Sequence, residues 1–552
     1  MKGRGAYRNR MLVCACLLAF LPLLGLQAQI LDHYPIRSFE TEALDRLFLE
    51  IGEAPPFHCR PFSNYVYLRH LRDLDRSSAE LSANNRRLLK VLLERLSEQE
   101  QRESFLVPLL ESSLRLQAQN DELSAREEYL FYRESLEEIP LLNLGFLAGT
   151  PYFLIHTEMD IRRDFFSSFR PGNYSSLPVG DIWYQEFDFT FPTRGYLKAG
   201  SPAVDLMVGR EQLKWGPGYR GSLVLSDSPP YYDMLTVTYQ SPVLAACFVY
   251  AVLESYLTDE EYAVQELYWD EGAVNFPKDS LGEYKFLAGH RFELKLWKRA
   301  ILGMSDLIVV GGRVPEFNEI TPLMFLHNVY GENYSNVILG FDVCGVPCRN
   351  LQLYAELAMD DIRNAHEDDS SPPTSLAWLA GLWWLRPLEK GNLNFRFEWA
   401  RVDPWTYNRW QPYLIFSSRK KYLSTATNKQ ILDFPIGYFL GPDVESWFWL
   451  AEFDRGEKLR AGLSYELRRK GRVYLDVLDP ESLYDNYVNV TGAAPTGTVL
   501  TSHILTLSGY TSWHPRWALD GSCSVEYRRN REHAAGDHGF FLAARLNCSY
   551  RH

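Results

Sequence analysis

The stretch that decides the fold lies near the C-terminal end and reads Trp517-Ala-Leu-Asp-Gly-Ser-Cys-Ser-Val-Glu-Tyr-Arg528. Its apolar residues alternate with polar ones, and the alternation returns over residues 540–551 after a turn-like stretch at 533–537. Because successive side chains of a strand point to opposite sides, each segment has one apolar face and one polar, partly charged face. Such segments, about ten residues long, are typical of transmembrane β-barrels.

The same alternation dominates from about Pro140 onward, with charged residues at many of the alternate positions. It is clearest in residues 185–191, 336–343, 351–360, 393–399 and 459–467. Charges in this pattern suit the lumen of a barrel better than the core of a soluble β-sandwich, which is the alternative all-β architecture. At about 20 to 25 residues per strand and connection, region 141–552 predicts an outer-membrane barrel of about 16 to 18 antiparallel strands.

The N-terminal 28 residues have the features of a secretory signal peptide. Basic residues precede an apolar run over 11–26, and Leu26-Gln-Ala28 is a plausible cleavage site. A membrane anchor is the alternative, but the run is short and is interrupted by Pro22 and Gly25. No other stretch approaches 18 consecutive apolar residues, so the sequence predicts no transmembrane helix.

Residues 29–140 differ from the rest and predict a small helical bundle on the periplasmic side, with a soluble dimerisation hairpin as the alternative. Leucines follow Ser82 at helical spacing, and Ser82 is a suitable N-cap. Residues 40–51, 65–76 and 124–138 are further helix candidates, the last opened by a capping box. Residues 106–119 are ambiguous, because Pro108 opposes a helix interior while apolar residues alternate near their end.

Composition narrows the classes of partner and site. The formal net charge of −13 argues against nucleic acid, and an aromatic content of 14% suits the interfacial girdles of a barrel. Cys344 and Cys348 could close a tight turn, and Cys523 and Cys548 could be neighbours on consecutive strands. No second pair of ligands supports zinc at Cys344 and Cys348. The carboxylates at 360–361 and 367–369 suggest calcium sites, but the run 367–369 lacks a 12-residue ligand pattern and is interpreted as solvated charge. We therefore expect no metal and no cofactor.

The densest motif spans residues 208–230 and combines Trp215-Gly-Pro-Gly218 with Arg, Lys, Gln and Tyr. Aromatic rings beside planar polar groups are the chemistry of carbohydrate binding. The alternative is a barrel corner, with glycines at the bend and Trp215 in an interfacial girdle. The residues alone leave both interpretations open.

This motif resembles the Wzi-type capsule-assembly proteins, a family of outer-membrane β-barrels. The matching segments are Gly209-Arg-Glu-Gln212, Trp215-Gly-Pro-Gly218 and Leu223-Val-Leu-Ser226, then His290-Arg-Phe-Glu293 with Leu302-Gly-Met-Ser-Asp306, and Pro322-Leu323 with residues 336–342. The resemblance is specific over about residues 200–345. The chain departs from the family pattern at Glu211 and at Asp306, where Glu is usual, which affects the ligand more than the fold.

The resemblance implies a barrel of about 18 strands with helices at its periplasmic end. It also implies a lectin-like protein that holds capsular or extracellular polysaccharide at the outer membrane without polymerising it. The residues carried over, as polysaccharide contacts or as structural filling of the lumen, are Arg210, Gln212, Lys214, Trp215, Tyr219, Arg220, His290 and Arg291. Outer-membrane lipid is an expected partner, and periplasmic assembly proteins are candidate partners.

Other activities have less support. Ser502-His503, His533 and His538 lack a nucleophile elbow and a suitably spaced acid, so we expect no enzyme. A channel, porin or polysaccharide exporter with an open lumen is the main alternative function. A barrel enzyme acting on lipid or glycan is the other.

Overall fold

The computed structural model of the protein describes residues 32–551 with gaps. The gaps are 101–103, 121–128, 131–132, 134–139, 151–152, 164–173, 176–186, 189–193, 202, 271–283, 313–334, 362–373, 410, 423–429 and 476–493. Within the described residues, no helix is both long enough and apolar enough to cross a membrane.

The described chain begins with three α-helices that pack on one another: α1 (Phe39–Ile51), α2 (Asn64–Asp75) and α3 (Ala83–Glu100). The hydroxyl of Ser38 caps α1 by accepting the Thr41 amide at 3.2 Å. Ser82 precedes α3, as expected, and its Oγ lies 3.4 Å from the Asn85 amide nitrogen. Apolar side chains on the facing sides of the helices form a separate core. The predictions of helices at 40–51, at 65–76 and after Ser82 are confirmed.

After the helices, the described residues form a closed barrel of 18 antiparallel strands. They are β1 (Phe105–Gln119), β2 (Leu142–Gly149), β3 (Leu154–Arg163), β4 (Gly195–Gly200), β5 (Val204–Glu211), β6 (Tyr232–Gln240), β7 (Leu244–Leu253), β8 (Lys285–Leu296), β9 (Ala300–Gly311), β10 (Ser335–Cys348), β11 (Leu351–Asp361), β12 (Ser375–Leu388), β13 (Gly391–Val402), β14 (Val444–Asp454), β15 (Leu459–Lys470), β16 (Leu500–His514), β17 (Trp517–Arg529) and β18 (His538–Arg551). Strand β1 pairs with β18 and closes the barrel. The predicted architecture is confirmed.

Smaller elements lie in the connections. A fourth helix, α4, covers Asp259–Asp270. Short strands cover Cys59–Arg60, Tyr174–Ser175, Phe187–Asp188, Lys214–Trp215, Ser417–Tyr422 and Gln430–Pro435, and 3₁₀ turns cover Ser78–Glu80, Pro412–Leu414 and Arg531–His533.

The barrel begins earlier than the sequence suggested. Residues 105–119 fall inside the region 29–140 expected to be helical, yet they form β1 and pair with both β2 and β18. Leu114 and Leu116 face outward and are exposed, which is the alternation noted in that segment. The domain boundary near residue 140 was therefore wrong, because the strand follows α3 almost directly. The helix expected at 124–138 lies mostly outside the described residues.

The two ends of the barrel differ in the length of their connections. Short turns such as 241–243 and 297–299 join strands at one end, whereas connections such as 212–231 and 403–443 lie at the other. Outer-membrane barrels have short periplasmic turns and long extracellular loops, so we assign the ends accordingly. The N-terminal helices contact the short turns, through Ala54 N to Lys298 O at 2.8 Å and Asn350 N to Leu49 O at 2.9 Å. They therefore lie at the end of the short turns, which we assign as periplasmic.

The cysteines are unbonded in the described chain. Strands β17 and β18 place Cys523 opposite Ala544 and Cys548 opposite Leu519, so the expectation that these two cysteines are neighbours is wrong. Their parity was correct but their register was not, because alternation fixes the face of a strand and not its alignment. Cys344 is buried and Cys348 is exposed, with no bond between them.

Candidate functional site

Residues 212–231, between β5 and β6, form a segment here called the lumenal plug. Instead of looping outward, the segment folds into the barrel, where all but four of its residues are buried. Trp215 donates its amide to Leu225 O at 2.8 Å. Strand Lys214–Trp215 also pairs with Cys59–Arg60, so the N-terminal segment and the lumenal plug form one small sheet.

Two wall carboxylates hold the lumenal plug through its backbone. Glu356 on β11 accepts the amides of Gly218 at 2.7 Å and Leu223 at 2.8 Å. Glu398 on β13 accepts the amides of Tyr219 at 2.5 Å and Arg220 at 3.1 Å. Four main-chain amides of the segment thus have their acceptors on the barrel wall. The inward carboxylates of the wall therefore fix the course of the segment.

The structure explains why position 216 is a glycine. Its φ of +123° lies in a region that other residues rarely adopt, and a Cβ there would lie 2.5 Å from Glu356 Oε1. Only glycine allows the backbone to approach that carboxylate so closely. The Trp-Gly-Pro-Gly motif is thus a bend inside the lumen, which neither sequence interpretation had placed there.

Trp215 is enclosed in the lumen, and Lys214 beside it is half-buried. Trp215 is 1% exposed and belongs to the main hydrophobic core, so its ring has no open face for a sugar. Lys214 Nζ donates to Gly218 O within the same turn. Burial lowers the pKa of Lys214, and the nearby Asp227 carboxylate opposes that shift. Both residues stabilise the lumenal plug.

Gln212, Tyr219 and Arg220 also belong to the lumenal plug but are only half-buried. Gln212 Nε2 reaches the carbonyl of Pro229 at 3.4 Å. Arg220 forms an ion pair with Glu466 on β15 at 2.8 Å. The Arg396 guanidinium lies 4.2 Å from the centre of the Tyr219 ring.

Arg291 lies inside the barrel and joins three strands. Its guanidinium bonds Glu293 at 2.6 Å, Ser305 at 2.8 Å and Asp342 at 2.7 Å. Glu293 also accepts the main-chain amide of His58 at 2.7 Å, so the cluster anchors the N-terminal segment to the wall. This arrangement corresponds to the structural option considered for Arg291.

Arg210 and His290 point away from the lumen. Arg210 continues the outward parity of Val204 and Val208, and its Nε lies 2.8 Å from Asp233 Oδ1 on β6. His290 faces outward on β8, with its ring centre 5.9 Å from that of Phe248. The eight candidates therefore do not form a single site. The parity of β5 alone could have placed Arg210 on the outer face, with Val204 and Val208.

A cleft at the extracellular rim contains residues that the sequence did not single out. Arg419 binds Glu261 at 2.6 Å, Asp433 at 2.6 Å and the carbonyl of Tyr256 at 2.9 Å. The cleft encloses about 310 Å³, including solvent at its opening, and is lined by Glu254, Ser255, Tyr256, Leu257, Glu261, Lys285, Pro412, Tyr413, Ile415, Ser417, Arg419, Asp433 and Leu475. These residues come from three separate connections and from Lys285 at the start of β8, so no local motif marks them. We call this surface the rim cleft.

The described residues contain no group of three or more His, Cys, Asp or Glu side chains arranged to hold a metal ion. Asp361 instead pairs with Arg409, and Asp360 accepts the Tyr407 amide at 2.6 Å. The acidic stretch 367–369 lies outside the described part.

Comparison with known proteins decides the family. Residues 158–540 match the family described as capsule assembly protein Wzi, which is more than half of the chain. This protein belongs to the Wzi capsule assembly family. Comparison with curated proteins gives no match.

The Wzi fold is also found by structural comparison. Wzi of Escherichia coli, described as a carbohydrate-binding β-barrel involved in group 1 capsule assembly, is 14% identical and has a TM-score of 0.54. The match covers 95% of this chain and 99% of that one. OccD3 of Pseudomonas aeruginosa is 10% identical over 81% of this chain and 91% of its own, with a TM-score of 0.41. This Wzi family member is an outer-membrane β-barrel.

Proposed function

We propose that this Wzi family protein binds capsular or extracellular polysaccharide at its extracellular end and holds it at the cell surface. The observation that carries the proposal is the filled lumen. The lumenal plug occupies the barrel beside β8–β15, and the N-terminal helices cover the periplasmic end beneath it. A barrel obstructed in this way is suited to binding at its rim more than to passage through its interior.

The second support is the chemistry of the rim cleft. Tyr256 is half-buried and provides a ring that can pack on the apolar face of a sugar. Arg419, Glu261 and Asp433 provide charged groups that can exchange hydrogen bonds with hydroxyls. Single sugar contacts of this type are weak, so affinity for a polymer would come from many repeats.

The proposed role is non-enzymatic. Ser502 faces the lumen and is buried, whereas the next residue, His503, faces outward beside Tyr465. His533 contacts Tyr474 and the carbonyl of Thr498. Ser502 and its neighbouring His503 therefore cannot act as a nucleophile and base, because they lie on opposite faces of β16. Polysaccharide is the proposed partner on the extracellular side, and periplasmic assembly proteins are candidate partners for the helices.

Binding of the purified, detergent-solubilised protein to the host's own extracellular polysaccharide tests this function. We expect the wild type to bind and Tyr256→Ala to weaken binding several-fold. Tyr239→Ala is the matched control, because Tyr239 faces outward at the periplasmic end of β6. Heat-modifiability on gels checks that each variant is folded.

Two outcomes would contradict the proposal in different ways. Binding that is equal in the wild type and Tyr256→Ala would place the contact surface away from the rim cleft. An absence of binding by the wild type, together with steady conductance in planar bilayers, would favour the channel alternative.

A further inference from the structure

Cys59 lies inside the barrel on the strand that pairs with the lumenal plug. Its register partner is Trp215, and it is 2% exposed. The residue before it, His58, donates its amide to Glu293 on β8 at 2.7 Å and accepts the Gly216 amide at 3.3 Å. The preceding residue His58 and the register partner Trp215 are therefore both fixed, and the strand of Cys59 contacts the adjoining wall.

The wall at this point is β7, which presents Cys247 to the lumen. Glu293 pairs with Ala245, two residues from Cys247 on the same face, so the His58 anchor lies beside Cys247. Cys247 is 1% exposed, and its sulfur lies 3.6 Å from Thr238 Oγ1. The short strand Cys59–Arg60 contacts β7, and Cys59 and Cys247 belong to the same buried core.

We propose that Cys59 and Cys247 form a disulfide that ties the N-terminal segment to the barrel wall. Disulfides are stable in the exported compartments to which an outer-membrane protein belongs. Because the two cysteines lie in one buried core on strands that are in contact, a local movement of their side chains would bring the sulfur atoms to bonding distance. The bond would secure the lumenal plug as well, since Cys59 pairs with Trp215.

The oxidant would be a periplasmic protein disulfide. The Cys59 thiolate attacks one of its sulfurs, forms a mixed disulfide and releases one thiol. The Cys247 thiolate then attacks Cys59 Sγ, which forms the Cys59–Cys247 bond and releases the second thiol. The two cysteines lose two electrons and two protons, and the oxidant's two sulfurs receive them.

The exchange must precede the final closure of the lumen. Burial raises the pKa of the Cys59 thiol well above its usual range, so the folded protein contains little of the reactive thiolate. Both sulfurs are also enclosed, so an oxidant protein has no access to them. The bond would consequently be made while the barrel assembles and would resist reductants afterwards.

Other described cysteines are poorly placed for this bond. Cys344 takes a hydrogen bond from Gln352 Nε2 at 3.1 Å on its own side of the lumen. Cys523 and Cys548 point outward and are offset in register. These three therefore offer matched controls in the same molecule.

The test is peptide mapping of the full-length protein purified from outer membranes without reductant. The protein is unfolded in denaturant with excess maleimide, digested and analysed by mass spectrometry. We expect a linked peptide pair containing Cys59 and Cys247, lighter by two hydrogen atoms than the separate peptides and lost after reduction. Cys523 should carry maleimide in the same sample.

Complete maleimide labelling of Cys59 and Cys247 in the unreduced sample would overturn the proposal. A second measurement needs no variant. Protease cleavage after α3 should leave the N-terminal fragment attached to the barrel on denaturing gels until reductant is added, and release of the fragment without reductant would contradict the bond. Cys523→Ser should leave both results unchanged, whereas Cys59→Ser should expose Cys247 to labelling.

Discussion

The main-chain nitrogen of Gly218 lies 2.7 Å from the carboxylate of Glu356, a residue 138 positions away on the barrel wall. The wall thus binds the lumenal plug through hydrogen bonds to the main chain of the plug. Side chains of the segment can vary without losing this contact, whereas the carboxylate on the wall has no substitute. Substitutions of a few wall residues are therefore expected to affect stability more than substitutions within the lumenal plug.

Glu356→Ala is expected to loosen the lumenal plug. The change leaves two buried amides without acceptors, at about 1–3 kcal/mol each. Unfolding in denaturant should occur at lower concentration, and conductance in planar bilayers should rise above that of the wild type. Glu532→Ala, at an exposed extracellular turn, is the control. Equal conductance in all three proteins would mean that the segment does not obstruct the lumen.

Trp215→Ala is expected to destabilise the barrel without abolishing glycan binding by molecules that remain folded. Removing a buried Trp side chain costs about 3–5 kcal/mol, because a cavity remains in the core. Trp215→Phe should cost less. Denaturant titration measures the first effect, and binding normalised to the folded fraction measures the second. Loss of normalised binding in both variants would show that Trp215 contacts the ligand.

Arg46 and Asp454 form an ion pair between α1 and β14, and each side chain is only 2% exposed. Removing one partner of a buried pair costs about 3–5 kcal/mol, because the other charge stays buried. Arg46→Met should therefore make the N-terminal helices sensitive to protease. The exposed pair of Arg76 and Asp73 supplies the control, since Arg76→Met should have little effect. Equal protease resistance in both variants would contradict docking of α1 on β14.

Stability is expected to fall as the pH is lowered from about 6.5 to about 4. Burial lowers the pKa of His33 to about 4, and the neighbouring Lys198 adds to that effect. In this range the unfolded chain binds a proton that the folded chain does not, so acid favours unfolding. His33 Nε2 lies 2.6 Å from Glu211, so His33→Gln should preserve a donor. The denaturation midpoint should depend less on pH in His33→Gln than in the wild type. An unchanged dependence on pH would show that His33 is not the responsible group.

Leu507 and Ser508 are adjacent residues on opposite faces of β16. Leu507 faces lipid and is 61% exposed, whereas Ser508 faces the lumen beside Gly462. Arginine on the lipid face near the bilayer midplane costs about 2–4 kcal/mol. Leu507→Arg should therefore impair folding into vesicles much more than Ser508→Arg. The reverse order would invert the assignment of faces.

The barrel could be predicted because each strand carries its own signal. Alternation marks β17 and β18 without reference to any other part of the chain. Strand β1 was misassigned because Pro108 and the preceding helix obscured a weaker alternation. The register between strands could not be predicted, because alternation within one strand carries no information about its alignment with the next. The offset of Cys523 and Cys548 illustrates this limit.

The site was harder to predict because its contacts are distant in sequence. The acceptors for the lumenal plug, Glu356 and Glu398, resemble ordinary lumen charges until the fold brings them to the backbone of residues 218–223. The outward position of Arg210, in contrast, follows from its parity with Val208. The residues of the rim cleft come from separate connections, so no single sequence motif predicts the cleft.

The separation between the lumenal plug and its acceptors also sets an order of events during biogenesis. Residues 218–220 emerge from export long before Glu398 and Glu466, which lie 179 and 246 positions from their partners. Closure needs the last strand to meet the first, as β18 meets β1. Contacts so remote in sequence form slowly. The nascent barrel therefore passes through a stage in which its lumen is hydrated and the lumenal plug is not yet bound to the wall. A chaperone or insertase has its longest opportunity to act at that stage.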